Sequence, residues 1–341
     1  MNRRSFTKGL ALSSAISLAP FSAMQQALAQ DATAEVAPQL PVTVTDVNGN
    51  EVTIEDISRI VPLNGSTTET LFALGLGDNV VAVDVSSLYP EEALELPKIG
   101  YVRELSAEGI LSFEPTLVIG TTEAGPEDVL AQIADAGVPM LILEAPRDPH
   151  GTADQIRDIA AAVGLPDAGN ELADAVTTKL DEAAELAASS ADEPRVAFLY
   201  IRGQGTQMIA GANSAADGVI TAAGGINVGV ELEIQGYQPI TPEALVTAAP
   251  DVIVLMQAGL ASVGGVEGLM EIPGITETPA GMNERFVAFE DLYLLGFGPR
   301  IGESVYDLTI AIHDDIDAEP LNPQWQGLDV ELPELEATPA S

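Results

Sequence analysis

The sequence predicts an α/β protein with two Rossmann-like lobes, each built on a parallel sheet, joined by a single long helix. Short runs of branched apolar residues alternate with helical patterns in both halves of the chain, which is typical of βαβ units. Residues 168–188 carry a helical pattern with neither Gly nor Pro after Gly169. The 341 residues suit two domains of ordinary size. The predicted boundaries are 40–165 for the N-terminal lobe, 166–192 for the connecting helix and 193–315 for the C-terminal lobe.

The N-terminal lobe is predicted to open with a hairpin. Residues 42–46 alternate between apolar and polar, Asn48 and Gly49 supply a turn, and residues 52–54 resume the alternation. Buried strands and helices then follow in this order: strand 59–63, a helix after residues 64–67, strands 80–83 and 117–120, a helix over 129–136, and strand 140–143. This order favours a helix-covered parallel sheet.

The second half repeats the pattern of the first. Strands are predicted at 196–200 and 252–255, with a helix between them over 215–223 that Gly224 and Gly225 close. The tail over residues 316–341 is acidic, rich in Pro and lacks Lys and Arg, so we expect it to be partly disordered.

The first 29 residues predict a cleaved export signal. Its parts are Arg3, Arg4, Phe6, Lys8, an apolar run over 9–23 and a small-residue site at Ala27 and Ala29. This combination indicates a twin-arginine signal peptide over residues 1–29 and a periplasmic destination. The apolar run is too short and interrupted to be a stable membrane span.

Composition excludes several classes of function. The chain has 52 acidic and 13 basic residues, and cleavage near Ala29 removes three basic residues and no acidic one. Such a protein repels nucleic acid and anionic membranes. It has no cysteine, so thiolate metal sites, cysteine nucleophiles and a lipoprotein anchor are not expected. Its two histidines, His150 and His313, cannot form a three-histidine zinc site. We interpret His150 as a capping or surface residue in a loop, with ligation as the alternative, and His313 as a surface or dipole-related residue at a helix end.

Motifs for phosphate or dinucleotide binding are missing. The segment Gly203-Gln204-Gly205 lacks the third glycine and the following helix of a dinucleotide fingerprint. No Gly-Lys-Ser/Thr phosphate loop occurs. Pairs of acidic residues are abundant, but at this charge most of them belong to a solvated surface.

Tyr101 and Arg103 are the most informative pair of residues. They follow a Pro-containing turn and, in an extended segment, residues two apart point to the same side. An arginine beside a phenol favours the phenolate, and tyrosine is one of the protein ligands used for haem iron. The alternative interpretation is a half-buried tyrosine beside a surface arginine.

Motifs spread over residues 59–313 resemble a family of binding proteins. Those motifs lie at 59–61, 68–71, 73–78, 87–90, 96–103, 272–275 and 292–300. They are similar to the periplasmic substrate-binding proteins with a rigid inter-lobe helix, which serve ABC importers of siderophores, cobalamin and haem. Within that group the segment from Gly100 to Gly109, with the pattern Gly-Tyr-x-Arg-x-Leu-Ser-Ala-Glu-Gly, resembles the haem (hemin)-binding branch.

The resemblance implies roles for individual residues. Tyr101 is expected to be the axial oxygen ligand of ferric haem, with Arg103 hydrogen-bonded to or paired with its phenolate. Glu69 is expected to be the first-lobe contact to the importer's permease, and Asp217, a weaker match, the second-lobe contact. For both acids the alternative interpretation is favourable electrostatics near the start of a helix.

The second lobe departs from family members that supply a second axial histidine. The comparable residues 200–208 contain none, so five-coordinate iron or a sixth ligand such as water is expected. Met208 is a candidate ligand or, alternatively, a core gap-filler. Tyr237 is a candidate to line the cleft or, alternatively, an exposed turn tyrosine. With few basic residues available, Arg103, Arg202 or backbone amides are expected to meet the haem propionates.

The resemblance therefore predicts a monomeric carrier that captures haem and delivers it to an ABC transporter, without catalytic residues. A binding protein for a ferric siderophore or cobalamin is the first alternative, and Tyr101 with Arg103 distinguishes them because siderophore sites use several basic groups. A secreted metal-dependent enzyme is the alternative from another class, against which the missing cysteines and scarce histidines count.

Overall fold

The computed structural model describes residues 37–203 and 205–323. The predicted signal peptide over 1–29 and the greater part of the predicted tail, residues 324–341, lie outside the described residues. None of the helices within the described ranges is both long enough and apolar enough to cross a membrane.

The N-terminal lobe consists of a hairpin, a three-stranded parallel sheet and short helices. Its strands are β1 Val42–Thr45, β2 Glu51–Ile54, β3 Ile60–Pro62, β4 Leu117–Thr121 and β5 Met140–Leu143. Its helices are α1 Gly65–Ala73, α2 Glu91–Leu94, α3 Ala107–Leu111, α4 Glu127–Asp135 and α5 Gly151–Ala162, with a 3₁₀ turn at Gly77–Asn79. Strands β1 and β2 form the predicted antiparallel hairpin, and β3, β4 and β5 pair in parallel in that order. Two apolar clusters cover the two faces of this sheet, as a parallel sheet requires.

One long helix, α6 Pro166–Ser189, leads from the first lobe into the second. Its buried residues recur every three or four positions, at Gly169, Ala173, Val176, Leu180 and Ala183, and so form one apolar stripe. From Ala173 onward this stripe belongs to the core of the second lobe. A β-carbon at Gly169 would overlap Ala160 of α5, so the glycine permits the close packing of these two helices.

The C-terminal lobe is built on a six-stranded mixed sheet. Its strands are β6 Arg195–Arg202, β7 Thr206–Ala210, β8 Ile226–Asn227, β9 Tyr237–Pro239, β10 Val252–Met256 and β11 Phe286–Phe289. Its helices are α7 Ala215–Ala222, α8 Val228–Glu231, α9 Pro242–Ala248, α10 Gln257–Ser262, α11 Gly265–Met270, α12 Pro279–Met282, α13 Asp291–Leu295 and α14 Ile301–Ile312. Strands β8, β6, β10 and β11 pair in parallel, and β7 and β9 extend the sheet in the antiparallel sense.

The fold class agrees with the sequence prediction, with two corrections. The second sheet is not wholly parallel, because a tight turn after Arg202 returns the chain as β7 beside β6. The predicted strand at 80–83 is reduced to isolated bridges from Val80 to Ile60 and from Val83 to Lys98. Pro97, which accepts a hydrogen bond from the Val83 amide, has no N–H with which to continue the ladder.

His313 is also placed differently from the prediction. It ends α14 as expected, but only 3% of it is exposed. Its Nε2 lies 3.0 Å from the carbonyl oxygen of Ala223 and its Nδ1 lies 3.0 Å from the hydroxyl of Ser190. The imidazole thus joins the end of α7 to the end of α6, because a helix end offers unpaired carbonyl groups.

Asp315 ties the segment after α14 to the end of the long helix. Its carboxylate accepts hydrogen bonds from the Ser190 hydroxyl at 2.6 Å and from the Ala191 amide at 3.0 Å. The Ser190 bond is the main cause that lowers the pKa of Asp315 below its ordinary value.

Acid is expected to loosen this attachment. Because the pKa of Asp315 is lower in the folded protein, its stabilisation is present above the unfolded pKa of about 3.9 and is lost as the pH falls through the folded value. Denaturant unfolding between about pH 6 and about pH 2 measures the loss, and Asp315→Asn is expected to flatten the acid limb of the curve. Asp317→Asn, at an exposed carboxylate nearby, is the control, and equal slopes for both variants would contradict the prediction.

Candidate functional site

The loop that carries Tyr101 is held at the carboxyl end of the first sheet. Val83 pairs with Lys98, so Tyr101 follows this bridge by three residues. Gly100 has a φ of +99°, which a residue with a side chain rarely adopts, and its carbonyl accepts a hydrogen bond from the Val85 amide at 3.0 Å. The carbonyl of Tyr101 accepts from the Glu104 amide at 2.8 Å and closes the turn. Ligands of open α/β sheets bind at this end of the strands.

Tyr101 and Arg103 are both exposed, whereas the residue between them is buried. Tyr101 is 45% exposed and Val102 is 6% exposed. Val102 accepts a backbone hydrogen bond from Gly125 at 2.9 Å, which ties the loop to the one that follows β4. These residues form a turn and not the extended segment that was expected, so a shared side for Tyr101 and Arg103 stays a prediction.

Arg103 is paired with a carboxylate that the sequence analysis did not single out. Its Nη2 donates to Oε1 of Glu123 at 2.7 Å. Glu123 follows β4, whose last residue, Thr121, accepts from the Glu123 amide at 3.4 Å. The expected pairing of Arg103 with the phenolate of Tyr101 stays a prediction for the haem complex.

Several large apolar side chains near Tyr101 are exposed. Val85, Leu88 and Tyr89 are 47%, 41% and 43% exposed, and all three belong to the segment that is hydrogen-bonded to Gly100. Exposed apolar residues concentrated in one place mark a binding surface more than a scattered set does. This segment, residues 85–89 with Tyr101, can accept a flat apolar ligand and offers it the phenol oxygens of Tyr89 and Tyr101.

The second lobe contributes an aromatic surface. Tyr200 of β6 lies opposite Met208 of β7, and the Tyr200 and Tyr237 rings meet edge to face with their centroids 6.0 Å apart. Phe198 contacts Tyr237 in the same way at 6.2 Å. Because residues two apart on a strand share a face, Phe198, Tyr200 and Met208 lie on one side of this sheet. Met208 and Tyr237 are thus brought together on one face.

Tyr237 is a half-buried strand residue and not an exposed turn residue. Burial, together with the negative charge of Glu123, raises its pKa to about 12, and a hydrogen bond from the Ala216 amide partly offsets this. At neutral pH the group is a phenol, which donates a hydrogen bond more readily than it binds a metal ion. The contribution of Glu123, a residue of the first lobe, means that its charge lies within electrostatic reach of Tyr237.

Arg202 lies at the end of β6, next to the aromatic surface. Its guanidinium carbon is 5.0 Å from the centre of the Tyr200 ring, and its Nη2 is 3.2 Å from the carboxylate of Asp291. The side chain is 41% exposed, so it retains donors for a ligand carboxylate.

Glu69 is buried and joined to the second lobe. It is 3% exposed and accepts three hydrogen bonds from Arg300: from the backbone amide at 3.1 Å, from Nε at 3.0 Å and from Nη2 at 2.9 Å. The Arg300 guanidinium also lies 3.7 Å from the centre of the Tyr89 ring. A permease cation could reach the Glu69 carboxylate only by displacing Arg300.

Asp217, the other expected partner contact, lies in the first turn of α7 and is half-buried. Its Oδ1 accepts a hydrogen bond from the Asn227 side chain at 2.9 Å, and its amide donates to the Ser214 hydroxyl. These contacts agree with the helix-start interpretation and leave one carboxylate oxygen for other partners. Permease contact by either acid stays a prediction.

Sequence reasoning missed Glu123, Tyr200 and Arg300. A signal existed for Tyr200, since it alternates with Phe198 at the end of a predicted strand, where ligands bind. Arg300 ends the motif at 292–300, but its partner Glu69 lies 231 residues away in the chain. No local pattern marks Glu123, whose partner lies 20 residues away.

A small apolar crevice occurs on the opposite face of the second sheet. It is lined by Leu199 and Ile201 of β6 together with Ile240, Leu245 and Ile272. These strand residues alternate with Tyr200, so the crevice is separate from the aromatic surface.

Comparison with known proteins gives one matching family and three similar proteins. A family model described as periplasmic binding protein matches residues 60–292. The structure of the periplasmic heme-binding protein RhuT from Roseiflexus sp. RS-1 in apo form is 49% identical, with a TM-score of 0.75, over 77% of this chain and 100% of that one. The crystal structure of the heme binding protein HmuT is 38% identical, with a TM-score of 0.77, over 83% of this chain and 94% of that one. The vitamin B12-binding protein of Yersinia pestis (strain Pestoides F) is 28% identical over 199 residues, 58% of this chain and 69% of that protein.

Proposed function

Because the chain belongs to the periplasmic binding protein family, we propose that it captures haem between its two lobes and delivers it to the permease of an ABC importer. The observation that carries the proposal is the exposed phenol of Tyr101, set beside Arg103 and among exposed apolar side chains. A single oxygen ligand suits an iron whose four equatorial positions are already filled by the porphyrin. The identity of the two similar haem-binding structures, 49% and 38%, supports the same ligand class.

The two lobes offer the chemistry that each part of haem requires. The apolar segment 85–89 and the Tyr200 and Tyr237 rings can cover the faces of the macrocycle, which is how clefts bury a flat ligand. Arg103, Arg202 or backbone amides are proposed to meet the propionates. Tyr101 is proposed as the axial ligand, with Met208 and Tyr237 lining the cleft; Tyr237 acts as a phenol donor because its pKa is raised.

The protein is proposed to act in the periplasm together with the permease of an importer. The twin-arginine signal predicted over 1–29 would carry the protein to the periplasm, where it acts as a monomer. Glu69 and Asp217 are proposed contacts to the permease. Glu69 would make this contact after a permease cation has replaced Arg300 as its partner. No residue is assigned a catalytic role, and nucleic acid is not among the partners.

Cobalamin is the second candidate ligand, since a vitamin B12-binding protein is among the similar proteins. That similarity covers 58% of this chain, whereas the similarity to RhuT covers 77% at higher identity. Haem is therefore the first choice.

A visible-absorption titration of the mature protein tests the proposal. Ferric haem is expected to bind saturably, in a one-to-one ratio, with the charge-transfer band of an iron–tyrosinate complex. Cyanocobalamin and a ferric hydroxamate siderophore, titrated in parallel, are expected not to compete. Saturable binding of either competitor in place of haem would overturn the ligand assignment and leave the binding-protein family intact.

A further inference from the structure

Two loops of the first lobe hold Arg103 and Glu123 side by side. The Gly125 amide donates to the Val102 carbonyl at 2.9 Å, and the Leu105 amide donates to the Gly125 carbonyl at 3.1 Å. These bonds tie the backbone on both sides of the ion pair, whose Nη2 and Oε1 atoms are 2.7 Å apart. The backbone therefore holds the two loops together and brings the two side chains within reach of each other.

The side chains of this pair remain open to a ligand. Arg103 is 60% exposed and Glu123 is 49% exposed. Only Nη2 of Arg103 has a described partner, so its remaining donors are available to a ligand. Glu123 also acts on the opposite lobe, since its charge contributes to the raised pKa of Tyr237. Glu123 follows β4 and so lies at the carboxyl end of the first sheet, as Tyr101 does.

We propose that Glu123 is a positioning residue of the ligand site, which fixes the Arg103 guanidinium and balances its charge so that one edge is left for the Tyr101 phenolate. The role rests on the proposed haem function. A guanidinium that is paired with Glu123 can still donate a hydrogen bond that orients the phenolate. Because its positive charge is balanced, it withdraws less electron density from the phenolate oxygen than an unpaired guanidinium would. The phenolate then remains a strong donor to ferric iron, as partners of metal ligands commonly ensure.

The replacement Glu123→Gln keeps the shape of the side chain and removes its charge. It is expected to weaken ferric haem binding by about 10-fold, to shift the tyrosinate charge-transfer band and to raise the haem reduction potential. Glu123→Asp, which keeps the charge, is expected to restore the band in part. Glu104→Gln is the matched control, because it removes one exposed charge from the same turn.

A double-variant cycle shows whether Glu123 acts through Arg103. In an Arg103→Ala background, Glu123→Gln is expected to change haem affinity by less than about twofold, against about 10-fold in the wild type, and to leave the band position unchanged. An undiminished effect in that background, or an equal effect of Glu104→Gln, overturns the positioning role.

A ligand-free measurement separates this inference from the haem proposal. In the ¹⁵N NMR spectrum of the haem-free protein, the Arg103 guanidinium, assigned with Arg103→Lys, is expected to show restricted rotation that Glu123→Gln abolishes. A signal that Glu123→Gln leaves unchanged overturns the positioning role whether or not haem binds. Restricted rotation together with a failure of the wild type to bind haem would overturn the proposed function and, with it, the role at a haem site.

Discussion

Replacing Tyr101 with phenylalanine is expected to abolish the charge-transfer band of the ferric haem complex and to weaken haem binding by about 100-fold, or about 3 kcal/mol. The phenylalanine keeps the ring among the exposed apolar side chains and removes only the phenol oxygen. The lost affinity therefore reports the iron–oxygen bond and not the contact of the ring with the porphyrin. Visible-absorption titration of the purified variant measures both quantities.

The chain offers a matched control for this variant. Tyr89 is 43% exposed, against 45% for Tyr101, and lies in the neighbouring apolar segment. Tyr89→Phe removes the same oxygen and keeps the ring on Arg300, so haem affinity within about twofold of the wild type is expected. If Tyr101→Phe kept the band while Tyr89→Phe lost it, the axial ligand would be Tyr89. If both kept it, the ligand would come from the second lobe.

The sequence pointed to Tyr101 and Arg103, which the structure places in a turn closed by the Glu104 amide, with Val102 buried between them. An extended segment was expected there, so the two-residue period does not by itself put both side chains on one side. The partner of Arg103 could not be predicted in the same way. Glu123 reaches it through the pairing of two loops, and such pairing depends on the packed sheet and not on neighbouring residues.

The fold was predictable where the hydrophobic pattern was long. Buried strands β4, β5 and β10 follow short continuous apolar runs bounded by turn residues, and helix α6 follows a long helical period. The antiparallel strands β7 and β9 carry mixed polar residues beside the site, so their pattern is weak. His313 shows the same limit, since its burial depends on Ser190 and Ala223, which lie far from it in the chain.

Replacing Arg300 with methionine is expected to lower the free energy of unfolding by about 3–5 kcal/mol. Glu69 would lose two side-chain hydrogen bonds while its carboxylate stayed 3% exposed, and an unpaired charge in the interior is costly. The Tyr89 ring would also lose the guanidinium stacked on it. Denaturant unfolding of the ligand-free protein measures the loss.

An exposed ion pair provides the comparison. Arg147 and Glu144 are 3.2 Å apart, with side chains 83% and 57% exposed, so Arg147→Met is expected to change stability by less than about 1 kcal/mol.

The double variant Glu69→Gln with Arg300→Met removes the buried charge and is expected to recover most of the loss. Recovery would mean that Arg300 serves mainly to neutralise Glu69. Glu69 belongs to the first lobe and Arg300 to the second. A permease cation that took the place of Arg300 would then break this contact between the lobes and still neutralise Glu69. A double variant no more stable than Arg300→Met would instead assign the stabilisation to the packing of Arg300 against Tyr89.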